Sequence, residues 1–304
     1  MQCIQTYDLR DDPYIELLRQ KSNSDTDIEK ILLSGKTYCN EQLTSLLNRS
    51  NWIYEELGGW AADYFIEASV DNLRLSIEND MSMSNMDRAE RVYLLEILSR
   101  MSPLEEISES WRFSSKLESL LAFLEKMNCP DFSCLIFAKR RDTVSVLSRI
   151  LSVHPATNDS FHCAAYVGWS SNSGRKDSLG ELLSHNMQRD TLSEFRAGRI
   201  NLIVATDVLE EGLDVSSCSL VVCFDKPPNV KSFVQRRGRA RHPSSTYAIM
   251  LSDEDDLLDL AKWQGLEQAM IDAYQDDERR RREAWEVEKT EEKFTECLSV
   301  PATR

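Results

Sequence analysis

The sequence predicts an α/β protein with a parallel sheet, preceded by a helical bundle and followed by charged helices. Between residues 113 and 251, short continuous apolar runs alternate with amphipathic helical segments. This alternation is typical of a parallel sheet that is covered by helices on both faces. Before this region the apolar residues recur with a helical period, and after it charged residues dominate.

The N-terminal third predicts a small helical bundle. Between residues 52 and 68 the apolar side chains follow the 3.6-residue period of one helix. Leu94, Leu95, Leu98 and Met101 repeat this spacing, and Pro103 follows as a stop signal.

Five apolar runs in the middle third predict the strands of the sheet, at residues 134–138, 163–167, 202–205, 220–224 and 247–251. Amphipathic segments that contain Leu117, Val144 and Phe195 predict helices around and between the first three strands. In parallel sheets of this kind, ligands bind where the strands end at their carboxyl termini.

The charge distribution separates the chain into regions. The 304 residues carry a formal charge of −15, but residues 111–252 hold 18 basic and 14 acidic side chains. A locally basic domain therefore lies between two acidic ones, so the distribution is compatible with nucleic acid although the total charge is not. We predict these regions: a helical domain at 1–110, a sheet domain at 111–252, charged helices at 253–298 and a tail at 299–304.

The cysteines and the N-terminus predict an intracellular protein of the cytoplasm or nucleus. The eight cysteines form no CxxC pair, and buried small side chains explain them better than zinc ligands, so we predict no metal site. The N-terminus lacks the features of a signal peptide, and no apolar run approaches the ~20 residues of a membrane helix. We therefore expect no membrane interaction.

The sequence SGKT at residues 34–37 ends like a phosphate-binding Walker A loop. The first glycine of that motif is missing, because position 30 is lysine, and no strand precedes the segment. We therefore predict no nucleotide site there.

Two motifs in the basic region carry the chemistry: ATDVLEEGLDV (205–215) and QRRGRAR (235–241). Thr206 can donate its hydroxyl to a phosphate oxygen, Gly212 permits a tight turn, and Asp214 can accept from a sugar hydroxyl. Arg239 and Arg241 can bind phosphate with a bidentate geometry that lysine lacks. The alternative is a basic nucleic-acid patch without catalysis.

These two motifs resemble motifs V and VI of superfamily 2 helicases, whose C-terminal half is a RecA-like domain. CLIFAKRRD (134–142) resembles motif IV, and YVGWSS (166–171) the RNA-contacting loop that follows it. FRAGRINLIVATD (195–207) resembles the approach to motif V. The resemblance covers about residues 113–251.

Within this superfamily the sequence is most similar to the Dicer family, particularly its fungal members. VVCFDKPPNVKSFVQRRGRAR carries that similarity, and YEELGGWAADYFI (54–66) resembles the helical insertion between the two RecA-like domains. The helices after Asp253 resemble the pincer. No Walker A loop, DExH motif or RNase III signature is present, so the chain resembles an internal piece of such a protein.

The resemblance implies a role in an ATP-dependent RNA helicase that serves RNA silencing and antiviral defence. It implies catalytic residues Gln235, Arg239 and Arg241, nucleotide contacts from Gly212, Asp214, Arg239 and Arg241, and RNA contacts from Lys139, Gly168, Thr206 and Arg236. ATP would be shared with a first RecA-like domain, and Mg²⁺ would accompany it on ligands outside this chain. Further implied partners are double-stranded RNA and a double-stranded-RNA-binding protein at the helical insertion.

Several alternatives stay open on the sequence. Either Arg239 or Arg241 could be the arginine finger, and Arg236 and Arg237 could contact RNA or form internal ion pairs. The protein could also be an RNA-sensing ATPase of the innate-immune type, or a scaffold that binds RNA or protein without catalysis. We expect the chain by itself to have negligible ATPase activity.

Overall fold

The computed structural model describes residues 7–21, 25–100, 111–127, 132–168, 179–183, 190–210, 218–240, 244–251, 261–269 and 272. The chain divides into two compact units. The first contains residues 1–226 and 235–252, and the second contains residues 227–234 and 253–304. In the described part of the chain, no helix is long and apolar enough to cross a membrane.

The described N-terminal region is helical, as the sequence predicts. Its helices are α1 (Pro13–Arg19), α2 (Asp25–Ser34), α3 (Tyr38–Leu57), α4 (Gly59–Asn79) and α5 (Asn85–Ser99). A 3₁₀ turn at Leu9–Asp11 precedes them. Met101 and Pro103 lie outside the described residues.

The prediction of a single helix at residues 52–68 is wrong, because α3 ends and α4 begins inside this range. Gly58 has a φ of +99° and separates α3 from α4. A left-handed backbone ends a helix, and glycine adopts it without steric cost. The apolar side chains of both helices nevertheless face one core. The helical spacing of apolar residues therefore continues across Gly58, and the sequence pattern does not reveal the break.

The SGKT sequence forms the turn between α2 and α3. Gly35 has a φ of +66°, and Thr37 caps α3 by accepting the backbone N–H of Asn40. The Thr37 hydroxyl also donates to the carboxylate of Asp12, at 2.8 Å, and Asp12 in turn caps α1 at Tyr14. The residues that imitate a phosphate loop therefore hold helix termini together.

The sheet contains five parallel strands in the order β2-β3-β1-β4-β5. Their bounds are β1 (Cys134–Phe137), β2 (Cys163–Tyr166), β3 (Leu202–Ala205), β4 (Leu220–Cys223) and β5 (Thr246–Ile249). The associated helices are α6 (Ser115–Met127), α7 (Arg141–Val153), α8 (Thr191–Arg196) and α9 (Val230–Arg237). This arrangement confirms the predicted α/β class with a parallel sheet.

One hydrophobic core joins the helical bundle to one face of the sheet. It includes Phe65 of α4, Leu94 of α5, Leu120 of α6 and Ile136 of β1, all fully buried. A second cluster, with Leu135 and Ile203, fills the other face of the sheet. The predicted boundary at residues 110 and 111 thus falls within one continuously packed unit, and as a functional division it stays a prediction.

Aromatic rings also connect the bundle to the sheet domain. Trp60 of α4 lies against Trp111, with ring centroids 4.9 Å apart, and Trp111 meets His154 edge-on at 4.9 Å. The Nδ1 atom of His154 accepts the backbone N–H of Ala156, which requires a neutral ring. Burial lowers the pKa of His154 from its usual value of 6.5.

The second unit is described over residues 227–234 and 261–269, with residue 272. Residues 261–269 are helical, inside the region predicted to contain charged helices. Phe233 is buried, and its ring centroid lies 6.0 Å from that of Trp263. The remainder of the predicted helices and the tail at 299–304 lie outside the described residues.

The corner at Gly58 gives a stability prediction. A Cβ atom there would collide with the backbone of Arg112 and lie 2.6 Å from the carbonyl carbon of Phe113. Together with the left-handed φ, this should make Gly58→Ala lower the free energy of unfolding by about 1–3 kcal/mol or more. Denaturant unfolding measures the change.

Gly59→Ala is the matched control for this corner. A Cβ at Gly59 meets its nearest atoms at 3.6 Å, so this change should alter the free energy of unfolding by less than about 1 kcal/mol. Equal effects of the two substitutions would contradict the assignment of strain to Gly58.

His154 gives a pH prediction. Since its pKa is lowered in the folded state, the unfolded chain takes up the proton first as the pH falls. The contribution of His154 to stability should therefore be complete above its unfolded pKa and decline as the pH drops below it. Unfolding at about pH 7.5 and about pH 5.5 should show a smaller stability loss for His154→Gln than for the parent chain. Identical losses would refute this interpretation.

Candidate functional site

The carboxyl edge of the sheet brings together three residues predicted to contact RNA. Lys139 follows β1, Gly168 follows β2 and Thr206 follows β3. β3 pairs with both β1 and β2, so Ala205 lies in register with the last residue of each neighbouring strand. The structure therefore places the three residues along one edge, with Lys139 exposed and Thr206 buried.

Gly168 has room for a side chain. Its φ is not in the left-handed region, and an added Cβ would meet Val208 at 3.5 Å, an ordinary van der Waals distance. The contact places Gly168 beside the 3₁₀ turn at Asp207–Leu209, which follows β3.

Asp225, two residues after the end of β4, organises the same edge. Its carboxylate accepts the backbone N–H of Lys139 at 2.6 Å and lies 3.5 Å from the ammonium of Lys116. Lys116 also pairs with Glu56 at 2.6 Å and lies over the ring of Phe224. The loop after β1 is thus fixed to the loop after β4, and both are linked to α3 through Glu56.

Arg236 and Glu210 form a buried ion pair. The Nε atom of Arg236 lies 2.7 Å from a carboxylate oxygen of Glu210, and the two side chains are only 4% and 9% exposed. Arg236 also donates to the carbonyl of Asp225 and lies over the ring of Phe137. Burial acts to lower the pKa of Arg236, but Cys223 and Glu210 raise it above its usual value. The guanidinium is therefore charged, and of the two alternatives left open for Arg236 this geometry favours the ion pair over RNA contact.

Arg239 contacts the backbone before and after residues 211–217, a range that includes the end of the first motif. Its Nη2 atom donates to the carbonyl of Glu210 at 2.8 Å, and its own carbonyl accepts the N–H of Cys218 at 3.2 Å. Residues 211–217, between these two contacts, lie outside the described residues. The residue is 7% exposed, so in this conformation its guanidinium serves the protein backbone.

Four further predicted residues have limited or no structural description. Gln235 lies half-buried near the end of α9. Gly212, Asp214 and Arg241 lie outside the described residues, so their roles stay predictions.

The sequence reasoning missed two acidic residues at this edge. Glu210 and Asp225 both stand in the motifs used for the prediction, yet neither received a role. A carboxylate two to five residues after the end of a buried parallel strand, in a region rich in arginine, was the available signal. Among the described residues, no cluster of His, Cys, Asp and Glu is placed to hold a metal ion.

The class of protein to which this fold corresponds is given by a match to a known family. Residues 115–243 match the family described as "Helicase conserved C-terminal domain". The matched range contains strands β1 to β4 and the two motifs at residues 205–215 and 235–241. The match confirms the predicted RecA-like class.

Almost the whole chain is homologous to the fungal Dicer-like proteins, which confirms the predicted resemblance. It is 55% identical to "Dicer-like protein 2-1" of Aspergillus niger over 97% of this chain, and 54% identical to "Dicer-like protein 2" of Aspergillus terreus over 98%. The chain spans 22% of the length of each of these relatives. Among solved structures, the helicase domain of Pyrococcus furiosus Hef aligns with 84% of this chain and 47% of that chain, at 21% identity and a TM-score of 0.40.

The buried ion pair gives a prediction for the site. Arg236→Met would leave the Glu210 carboxylate buried without its charged partner, which should cost about 3–5 kcal/mol of unfolding free energy. Arg100→Met changes an exposed arginine at the end of α5 and should stay within about 0.5 kcal/mol. Denaturant unfolding compares the two, and similar costs would contradict a structural role specific to Arg236.

Proposed function

We propose that this chain is the second RecA-like half, with its helical insertion, of the ATP-dependent RNA helicase or translocase module of a Dicer-like enzyme. The single observation that carries the proposal is the convergence of Arg236 and Arg239 on Glu210. It joins the loop after β3 to the arginine motif at the sheet edge where ligands of parallel sheets bind. The homology to Dicer-like proteins supports the same assignment.

In this proposal ATP lies between this sheet edge and a first RecA-like domain. Gln235, Arg239 and Arg241 face the triphosphate, while Gly212 and Asp214 hold the nucleotide. Arginine is suited to this task because charge develops on the transferred phosphoryl group, and a correctly placed guanidinium accelerates such reactions ~10³–10⁵-fold. Mg²⁺ accompanies ATP on ligands of the first domain.

Arg239 has two duties in this scheme. Its contacts with Glu210 and Cys218 hold both ends of the segment that contains Gly212 and Asp214. In its described conformation, Arg239 therefore positions the nucleotide-binding segment. When the two domains close on ATP, the same side chain turns toward phosphate. The second duty is also assigned to Arg241.

RNA is proposed to cross the same edge at Lys139, Gly168 and Thr206. Contacts of this kind follow the phosphate and sugar backbone, so duplex sequence should have little influence. We assign Arg236 to positioning rather than to RNA contact, since its Nε and Nη1 atoms donate to Glu210 and Asp225 and its side chain is buried.

The wider setting follows from the same homology. We propose that the helical bundle grips duplex RNA or a double-stranded-RNA-binding protein, and that ATP-driven closure moves the module along the duplex. The role would be RNA silencing, with antiviral defence as one outcome. An intracellular location, in cytoplasm or nucleus, suits the five described cysteines, none of which forms a disulfide.

The arginine assignment is tested by complementing this chain with the first RecA-like domain of a Dicer-like relative and measuring duplex-stimulated ATP turnover. Arg241→Ala should lower the rate roughly 10³-fold. Arg239→Ala should lower both the rate and the free energy of unfolding, because its backbone contacts are lost as well.

Arg199→Ala is the control, since Arg199 is exposed and pairs with Glu194 at the end of α8. Turnover that is unaffected by both motif substitutions would refute the assignment. Salt-sensitive duplex binding without any gain in hydrolysis on complementation would identify the alternative, a binding scaffold.

A further inference from the structure

Arg49 of α3 connects the helical bundle to two separate parts of the sheet domain. Its Nε atom lies 3.1 Å from the carboxylate of Asp142, at the start of α7. Its Nη1 and Nη2 atoms donate to the carbonyls of Leu179 and Gly180, at 3.1 and 2.7 Å. The side chain is 14% exposed. The planar fork of a guanidinium can satisfy three acceptors at once, which lysine cannot.

The backbone at Gly180 is shaped to this contact. Gly180 has a φ of +90°, and a Cβ atom there would lie 2.8 Å from the ring of Phe65 and 3.1 Å from the guanidinium of Arg49. On the other side, the N–H of Leu179 donates to the side chain of Gln42 at 2.7 Å. Residues of α3 and α4 therefore hold this backbone from both its carbonyl and its amide sides.

Asp142 links the same arginine to the strand end at β1. Arg140 donates two hydrogen bonds to the Asp142 carboxylate, at 3.1 and 2.8 Å. Burial acts to raise the pKa of Asp142, but the hydrogen bond from Arg140 and the charges of Arg49 and Arg140 lower it overall. Asp142 is therefore an ionised carboxylate between two arginines, one from the bundle and one from the loop that begins at Lys139.

Residues 179–183, which Arg49 holds, lie at the far end of the connection that leaves the candidate site after Gly168. The chain departs from the sheet edge at Gly168, beside Val208, and is described again from Leu179. At that point it is bound to the bundle, with an additional hydrogen bond from Asn72 to the carbonyl of Glu181. One end of this connection thus lies at the candidate RNA contacts and the other on α3 and α4.

We propose that Arg49 is a positioning residue that locks residues 179–183 to the helical bundle, and that this lock makes the RNA response of ATP turnover depend on the bundle. Arg49 contacts none of the described residues of the two chemical motifs, so its effect is transmitted through Leu179 and Gly180 and through Asp142. The second half of this inference rests on the proposed function, while the lock itself does not.

Two measurements test the proposal on Arg49→Met and Gly180→Ala. Hydrogen–deuterium exchange of the complete chain should show faster exchange at residues 179–183 in both variants. In the complemented ATPase assay, duplex stimulation should fall about tenfold, while the rate without RNA stays within about twofold. Arg74→Met is the control: Arg74 lies on α4, is half exposed and pairs, within the described residues, with its neighbour Asp71, so neither readout should change.

Each other outcome overturns a defined part of the proposal. Unchanged exchange at residues 179–183 would show that Arg49 does not lock this segment to the bundle. Faster exchange with normal duplex stimulation would show that the lock does not affect the RNA response. If Arg49→Met does not fold, Gln42→Met removes the acceptor that α3 offers to the Leu179 N–H, with a side chain of similar size, and it must give the same two changes. If the parent chain shows no duplex-stimulated turnover, the proposed function and the coupling fail together, and exchange alone decides the lock.

Discussion

The parallel direction of all five strands is the constraint on which the remaining structure depends. Strands β1, β3 and β4 are buried along their whole length, so their backbone hydrogen bonds can be satisfied only within the sheet. Their polar loops consequently emerge at one edge, where Lys139, Thr206 and Asp225 follow the three strands. The acidic and basic residues that meet there are remote in sequence, and the sheet alone brings them together.

Three of the described arginines in this acidic protein hold polar groups that lie in its interior. Arg236 pairs with Glu210, Arg239 holds a carbonyl of the same residue, and Arg49 pairs with Asp142. A buried guanidinium is tolerated only when its donors are satisfied, and each of these arginines spans more than one acceptor or element. The local positive charge of residues 111–252 therefore overstates how much cationic surface is available to a ligand.

Much of the fold was predictable because buried parallel strands appear as continuous apolar runs, and all five lie within two residues of their predicted bounds. The helix expected at 52–68 failed, since the left-handed turn at Gly58 preserves the apolar period on both sides. Thr206 and Lys139 follow predicted strands, and the structure places both at the carboxyl ends of the sheet. The contact between Arg49 and Asp142 joins residues 93 positions apart, and no local pattern encodes it. Nor does spacing reveal that Glu210 would occupy Arg236, although both stand in the motifs that were recognised.

The corner between α3 and α4 shares backbone hydrogen bonds with the entrance to the sheet domain. Gly59 donates to the carbonyl of Arg112 at 2.8 Å, and Ser114 donates to that of Leu57 at 3.1 Å. Backbone pairing of this kind is indifferent to side-chain identity but intolerant of separation. A chimaera that exchanged the bundle without the sheet would therefore have to restore both of these backbone hydrogen bonds, whatever side chains it carried.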